Sequence, residues 1–164
     1  MSLQSVGSLL ERERELETLG LHLDRARHGE GSLLVVEGPA GIGKTTLLRA
    51  AVEMAREREM AVLQARGGVL EQQLEYGVAR QLVEKPVVQA SAERRAELLA
   101  GPAAASGAAL GLAELPADQG PGGDPSAEIQ HGLHWLVANL AEEAPLLVAL
   151  DDAHWGDAAS TGWR

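Results

Sequence analysis

Eight consecutive residues, Gly38, Pro39, Ala40, Gly41, Ile42, Gly43, Lys44 and Thr45, fill every fixed place of the pattern G-x-x-x-x-G-K-[ST]. The flanking residues constrain the chain as strongly. Before the loop, Leu33, Leu34, Val35 and Val36 form a short apolar run that predicts a buried strand over 32–37. After it, Leu47, Leu48, Ala51, Val52 and Ala55 recur at the spacing of one helix face. A strand, a glycine turn and a helix in this order let backbone N–H groups curl around an anion at the positive end of a helix dipole. Residues 38–46, Thr46 included, are therefore the candidate cradle for a nucleotide polyphosphate. Lys44 is placed to reach the outer phosphates and the Thr45 hydroxyl to hold Mg²⁺. At typical usage, ~7% Gly among it, the pattern arises by chance in under roughly 1% of chains this long. Lysine is also scarce: of 14 basic residues only Lys44 and Lys85 are lysines, and one stands at the motif's lysine place.

Composition narrows the remaining classes. The 164 residues suffice for one domain, and the absence of Phe predicts an aliphatic core of Leu, Val and Ala. Without Cys there are no disulfides, thiolate metal sites or cysteine nucleophiles, which is compatible with a reducing compartment. No apolar run approaches the ~18 residues of a membrane span, and the opening Met-Ser-Leu-Gln lacks an export pattern. The expectation is a cytoplasmic chain with no membrane partner. Net charge is −10, and residues 101–163 hold nine Asp or Glu and no Lys or Arg. Such a surface repels a phosphate backbone, so direct nucleic-acid binding by this chain is not expected.

Further elements follow from periodicity and turn residues. Alternating Glu and Arg with Leu16, Leu19, Leu23 and Ala26 on one face predict a helix over 9–28, stopped by Gly29 and Gly31. Met60–Ala65 reads as a second strand, and helical patterns at 71–84 and 91–100 are separated by Lys85 and Pro86. Residues 101–125 are rich in Ala, Gly and Pro and read mainly as a flexible loop, with a helical start. Asp124 as N-cap and Pro125 at the first position open a helix that runs to about Glu143, and Leu146–Leu150 is a third apolar strand. Strands alternating with helices predict the α/β class with a parallel sheet.

The third strand ends in Asp151 and Asp152. An apolar strand ending in acids, downstream of a phosphate loop, is the Walker B arrangement. In open α/β sheets ligands gather at the carboxyl ends of strands. Asp151 is thus the expected second Mg²⁺ ligand, acting through water, and Asp152 the group that orients or deprotonates an attacking water. Lys44, Asp151 and Asp152 form the candidate catalytic set. His131 and His134, at i and i+3, have metal-binding spacing but no third ligand nearby, and ordinary boundary histidines are the simpler reading. His154 is open between a role near the terminal phosphate and packing beside Trp155.

Three segments together resemble the large ATP-binding regulators of the LuxR family, in the STAND branch of AAA-like P-loop NTPases. They are Arg12–Leu16, Gly38–Thr46, and the run Asp151–Ser160, within which Asp151, Asp152, His154, Trp155 and Asp157 are the most family-specific part. Tyr76–Leu82 also looks like the helix such proteins carry after the second strand. The resemblance implies an ATP·Mg²⁺-binding module of a transcriptional regulator, with the Arg12 segment beside adenine and ribose. In this chain Glu11 stands where the family usually has Gly. Such proteins continue well past Walker B, with a further strand lying between the Walker A and Walker B strands. The expectation is a partial NTPase domain over 1–164, truncated after Walker B, with slow or absent hydrolysis and marginal stability. A non-catalytic nucleotide-binding remnant or interaction module is the alternative, with self-association or association with a full-length relative among its partners. A small kinase fits less well, since no acceptor site or lid is evident.

Overall fold

The computed structural model describes residues 12–68, 75–113 and 125–153. Its contacts divide into two compact units, one running to Val62 and including Ala144–Ala149, the other comprising Leu63–Glu143 and the residues from Leu150 on. The elements are α1 (Glu13–Arg27), α2 (Lys44–Glu57), β1 (Ala61–Arg66), α3 (Gly77–Gln89), α4 (Ala92–Leu98), α5 (Ala103–Ala109), α6 (Pro125–Ala141) and β2 (Leu146–Asp151). β1 and β2 are neighbours. The Ala61 N–H donates to the Pro145 carbonyl and the Gly67 N–H to the Asp151 carbonyl, both at 2.9 Å. Equal steps along both strands make the pairing parallel, so the class is α/β as expected, with a two-stranded sheet and flanking helices.

In the first unit α1 lies along α2. Leu23, Ala55 and Met60 form its buried centre, with Ala26, Met54, Val62 and Leu147 packed around them. Gly20 permits the approach, because a Cβ there would come within 3.2 Å of the Met54 methyl. Beside it the Arg58 Nε donates to Asp24 Oδ1 at 2.8 Å, tying α2 to α1. The Arg58 hydrogen bond, reinforced by its charge, holds the Asp24 carboxyl below its ordinary 3.8. A depressed carboxylate contributes stability above its unfolded value and loses it as pH falls through the folded one. We predict that Asp24→Asn lowers the urea midpoint at about pH 7, and that the gap to the parent closes near pH 2. A gap that persists in acid would mean the pair acts through something other than charge.

The second unit is centred on Val83 and Val87 of α3, Leu98 and Leu99 at the end of α4, Ala103 and Leu110 flanking α5, and Leu136 of α6. Side chains close the helix ends. Arg95 donates to the Val87 and Val88 carbonyls at 3.1 and 2.8 Å, satisfying acceptors that the end of α3 leaves open. Arg94 donates to the Asn139 carbonyl at 3.0 Å, and Asn139 Nδ2 to the Leu98 carbonyl at 3.0 Å, joining α4 to α6.

Two expectations are corrected. The run 32–37 is not a strand: it has no regular structure, and Leu33 and Val35 are 67% and 71% exposed. An apolar run becomes a strand only where a neighbour takes its backbone N–H and C=O groups. Among the described residues none pairs with it, since β1 and β2 partner each other. The break at Lys85 and Pro86 is also absent, because α3 continues through Pro86 to Gln89. Proline removes one helix hydrogen bond. Burial of Val83 and Val87 on either side, with Arg95 closing the end, outweighs that loss. Residues 114–124 of the 101–125 stretch, the proposed Asp124 cap among them, Glu11, and the residues from His154 on lie outside the described residues.

Candidate nucleotide site

The glycines of the loop are where backbone conformation demands them. Gly41 and Gly43 have φ of 79° and 92°, the left-handed region in which a side chain is strained. The Ile42 N–H reaches the Pro39 carbonyl at 3.4 Å and closes a turn, and Gly43 then serves as N-cap of α2. Gly43 has no side chain to cap the helix, and the first turn carries no acidic residue. The first N–H groups of a helix lack intrahelical acceptors. Lys44, Thr45 and Thr46 therefore open α2 at an end built for an anion, with no carboxylate competing for it.

Two cations converge on this loop. The Lys44 ammonium donates to the Gly38 carbonyl at 2.8 Å and the Pro39 carbonyl at 3.1 Å. The Arg12 guanidinium, from the residue that caps α1, donates through Nη2 to the Ile42 carbonyl. Left-handed glycines, a helix N-terminus, an ammonium and a guanidinium are a donor set that fits a polyphosphate. Ala40 and Gly41 lie at the exposed tip of the turn, where a Cβ added to Gly41 would meet nothing within 4 Å.

The second unit holds the acid pair. Asp151 ends β2 half-buried, and its Oδ1 accepts the Asp152 N–H at 3.1 Å. Asp152 has φ 52°, a left-handed conformation that Asp tolerates better than most residues. Its Oδ2 accepts two N–H groups of Arg66, from Nη2 at 2.8 Å and Nε at 3.1 Å. The hydrogen bond and charge of Asp152, with the charge of Asp151 added, raise the Arg66 pKa above its ordinary value. Gln81 of α3 grips the Arg66 backbone at both ends: its Oε1 accepts the Arg66 N–H at 3.0 Å, and its Nε2 donates to the Arg66 carbonyl at 3.3 Å. The Thr45 hydroxyl in the first unit and the Asp151 carboxylate in the second are each, by themselves, the hard oxygen type that Mg²⁺ prefers.

The structure thus gathers Arg12 with residues 38–46 in one unit, and Asp151 with Asp152 in the other. Arg66 and Gln81 were not singled out from sequence. The signal for Arg66 was its place at the end of a strand in the same sheet as Asp151; Gln81 fell within the Tyr76–Leu82 resemblance, which gave it no role of its own. His131 accepts the Trp135 indole N–H at 3.0 Å, which explains it as a helix-surface pair. Among the described residues no group of three side chains could hold a metal ion.

Residues 8–162 match the family model described as AAA ATPase domain. The chain belongs to the AAA ATPase domain family. Membership makes this a nucleotide-binding NTPase module in kind. Over 57 residues it is 40% identical to the uncharacterized protein R02095 of Rhizobium meliloti (strain 1021), a stretch covering 35% of this chain and 6% of that protein. No solved structure was found that matches this chain. Among its described residues no helix is long and apolar enough to cross a membrane.

Proposed function

We propose that this AAA ATPase domain binds ATP with Mg²⁺ and serves as the nucleotide-operated switch of a LuxR-type, STAND-class transcriptional regulator, with slow hydrolysis. The observation that carries the reading is the loop at 38–45, whose left-handed glycines deliver Lys44 to the first turn of a helix with no acid in it. In this reading the N–H groups of residues 41–46 hold the phosphates, and Lys44 leaves the Gly38 and Pro39 carbonyls to pair with the outer ones. Thr45 and Asp151 hold Mg²⁺, which when bound neutralises charge on the terminal phosphates. Asp152 orients a water and accepts its proton as the water oxygen bonds to the γ-phosphorus and the bond to the β-phosphate oxygen breaks. The products are ADP and inorganic phosphate.

One observation supports the slower, binding-dominated version. Asp152 is engaged by Arg66: its Oδ2 already accepts two N–H groups, so this oxygen must be freed before it can orient a water. The test is phosphate release by the full chain against a Lys44→Ala control, with calorimetric uptake of MgATP in parallel. Uptake with release above the control supports the switch, and uptake without release supports a holding module. No magnesium-dependent uptake by folded protein removes both. We further predict that Arg66→Ala raises the rate of phosphate release by about fivefold, with MgATP affinity unchanged. A rate that falls or stays level would show that Arg66 does not restrain Asp152.

A further inference from the structure

Arg12 touches the phosphate loop at the peptide group that joins Ile42 to Gly43. A trans peptide is planar, so its C=O and N–H point in opposite directions; no described peptide bond is cis. Arg12 Nη2 takes the Ile42 carbonyl, and the Gly43 N–H of the same plane must therefore point away from the guanidinium. Two further distances place the side chain. A Cβ built on Gly43 would lie 3.7 Å from Arg12 Nη2 and 4.0 Å from Cζ, so the guanidinium sits alongside the Gly43 backbone. Arg12 is itself anchored, since its own carbonyl accepts the Leu16 N–H at 3.0 Å and starts α1. The packing of α1 along α2, through Gly20, Leu23 and the Asp24–Arg58 pair, keeps that anchor beside the loop.

The loop needs such a restraint. The Ile42–Gly43 plane turns over by paired changes of ψ at Ile42 and φ at Gly43, and Gly43, left-handed and without a Cβ, adds little steric barrier on its side. Turned over, it would aim a carbonyl rather than an N–H at an anion. A charge-assisted hydrogen bond to the carbonyl favours one of the two faces.

We propose that Arg12 is a positioning residue for polyphosphate binding: it locks the Ile42–Gly43 peptide so that the Gly43 N–H is presented to a phosphate. The proposal rests on the nucleotide-binding reading above and assigns Arg12 a role on the loop rather than on the base or sugar. Loop N–H groups of this kind cradle the α- and β-phosphates, which ATP and ADP share. Loss of the lock must then weaken every ligand carrying linked phosphates to the same degree.

The experiment is calorimetry on the full chain and its Arg12→Ala, Arg12→Gln and Arg12→Lys variants, with MgATP, MgADP and tripolyphosphate as probes. Arg12→Ala is expected to weaken all three by one common factor of about 10, the worth of one charge-assisted bond. Arg12→Lys, which keeps a charged N–H donor on a stem of similar reach, is expected to recover most of that loss, whereas the neutral amide of Arg12→Gln ends two atoms short of the Ile42 carbonyl and recovers little. The lysine variant also keeps the test alive should the alanine variant fold poorly. In ¹⁵N–¹H spectra, the Gly43 amide shift on tripolyphosphate saturation is expected to shrink in Arg12→Ala and return in Arg12→Lys. The proposal is overturned by unchanged affinities, or by a loss seen for the nucleotides but not for tripolyphosphate, which would mean a base or ribose contact. An Arg12→Lys variant as weak as Arg12→Ala would overturn it too, because a charged donor at this position would then do nothing for the loop. If Lys44→Ala abolishes binding while Arg12→Ala retains it, only the lock falls. If the unmodified chain takes up none of the probes, the nucleotide reading falls first.

Discussion

Replacing Lys44 by alanine will lower the affinity for MgATP by about 100-fold, near 2.8 kcal/mol at 1.4 kcal/mol per tenfold, while leaving the fold in place. The magnitude follows from what the side chain does. Its ammonium is a point charge on the first residue of α2, bonded to the Gly38 and Pro39 carbonyls. Hydrogen bonds to charged groups contribute roughly 1.5–3 kcal/mol each, and a triphosphate offers more than one acceptor. The bonds Lys44 would surrender on binding are to neutral carbonyls, which are weaker, so the exchange favours the ligand. Alanine at the start of a helix has high helix propensity, and the variant should keep its far-ultraviolet spectrum and urea midpoint. Titration with a fluorescent ATP analogue reads the effect. Affinity within twofold of the parent would remove the phosphate site from this loop, and with it the proposed switch.

What sequence made legible divides along a physical line. The loop, α2, β1, β2 and the acid pair were all readable, because each is specified by local chemistry: glycines that must turn left, an apolar period, a strand ending in acids. Leu33–Val36 had an equally clear apolar signature, yet the residues are exposed and unpaired. A strand is a statement about a neighbour, and composition records only willingness. Pro86 misled in the opposite sense. Its local rule predicts a break, but burial of Val83 and Val87 and the Arg95 hydrogen bonds to the end of α3 decide the outcome. The contacts of Arg66 with Asp152, 86 residues apart, and of Arg12 with Ile42, 30 apart, are products of folding that no window along the chain contains.

The second large effect lies away from the loop, at Gly132. Read from sequence, this glycine is a weak point in α6, and alanine there should gain about 1 kcal/mol of helix propensity. The packing predicts the reverse. A Cβ at 132 would stand 2.8 Å from the Pro102 carbonyl oxygen, 3.0 Å from the Ser106 nitrogen and 3.2 Å from the Ser106 Cβ. These are mostly backbone atoms of the segment that forms α5, which cannot swing aside as the end of a side chain can. α5 is composed of small residues, and Ser106 is fully buried with its hydroxyl donating to the Ala103 carbonyl at 2.7 Å. Overpacking costs roughly 1–3 kcal/mol, occasionally more. Against the propensity gain, Gly132→Ala should therefore lose about 1–2 kcal/mol, and Gly132→Val, which adds bulk and a β-branch, about 3 kcal/mol or more. Gly107→Ala provides the contrast. Its Cβ would meet the Leu99 side chain at 2.9 Å, a flexible end that can rotate away, so its loss should be the smaller. Urea denaturation of the three variants orders them: valine at 132 lowest in midpoint, alanine at 132 next, alanine at 107 closest to the parent. A Gly132→Ala protein more stable than the parent would show that α5 and α6 do not approach backbone to backbone, and that the second unit is held by its leucines and valines alone.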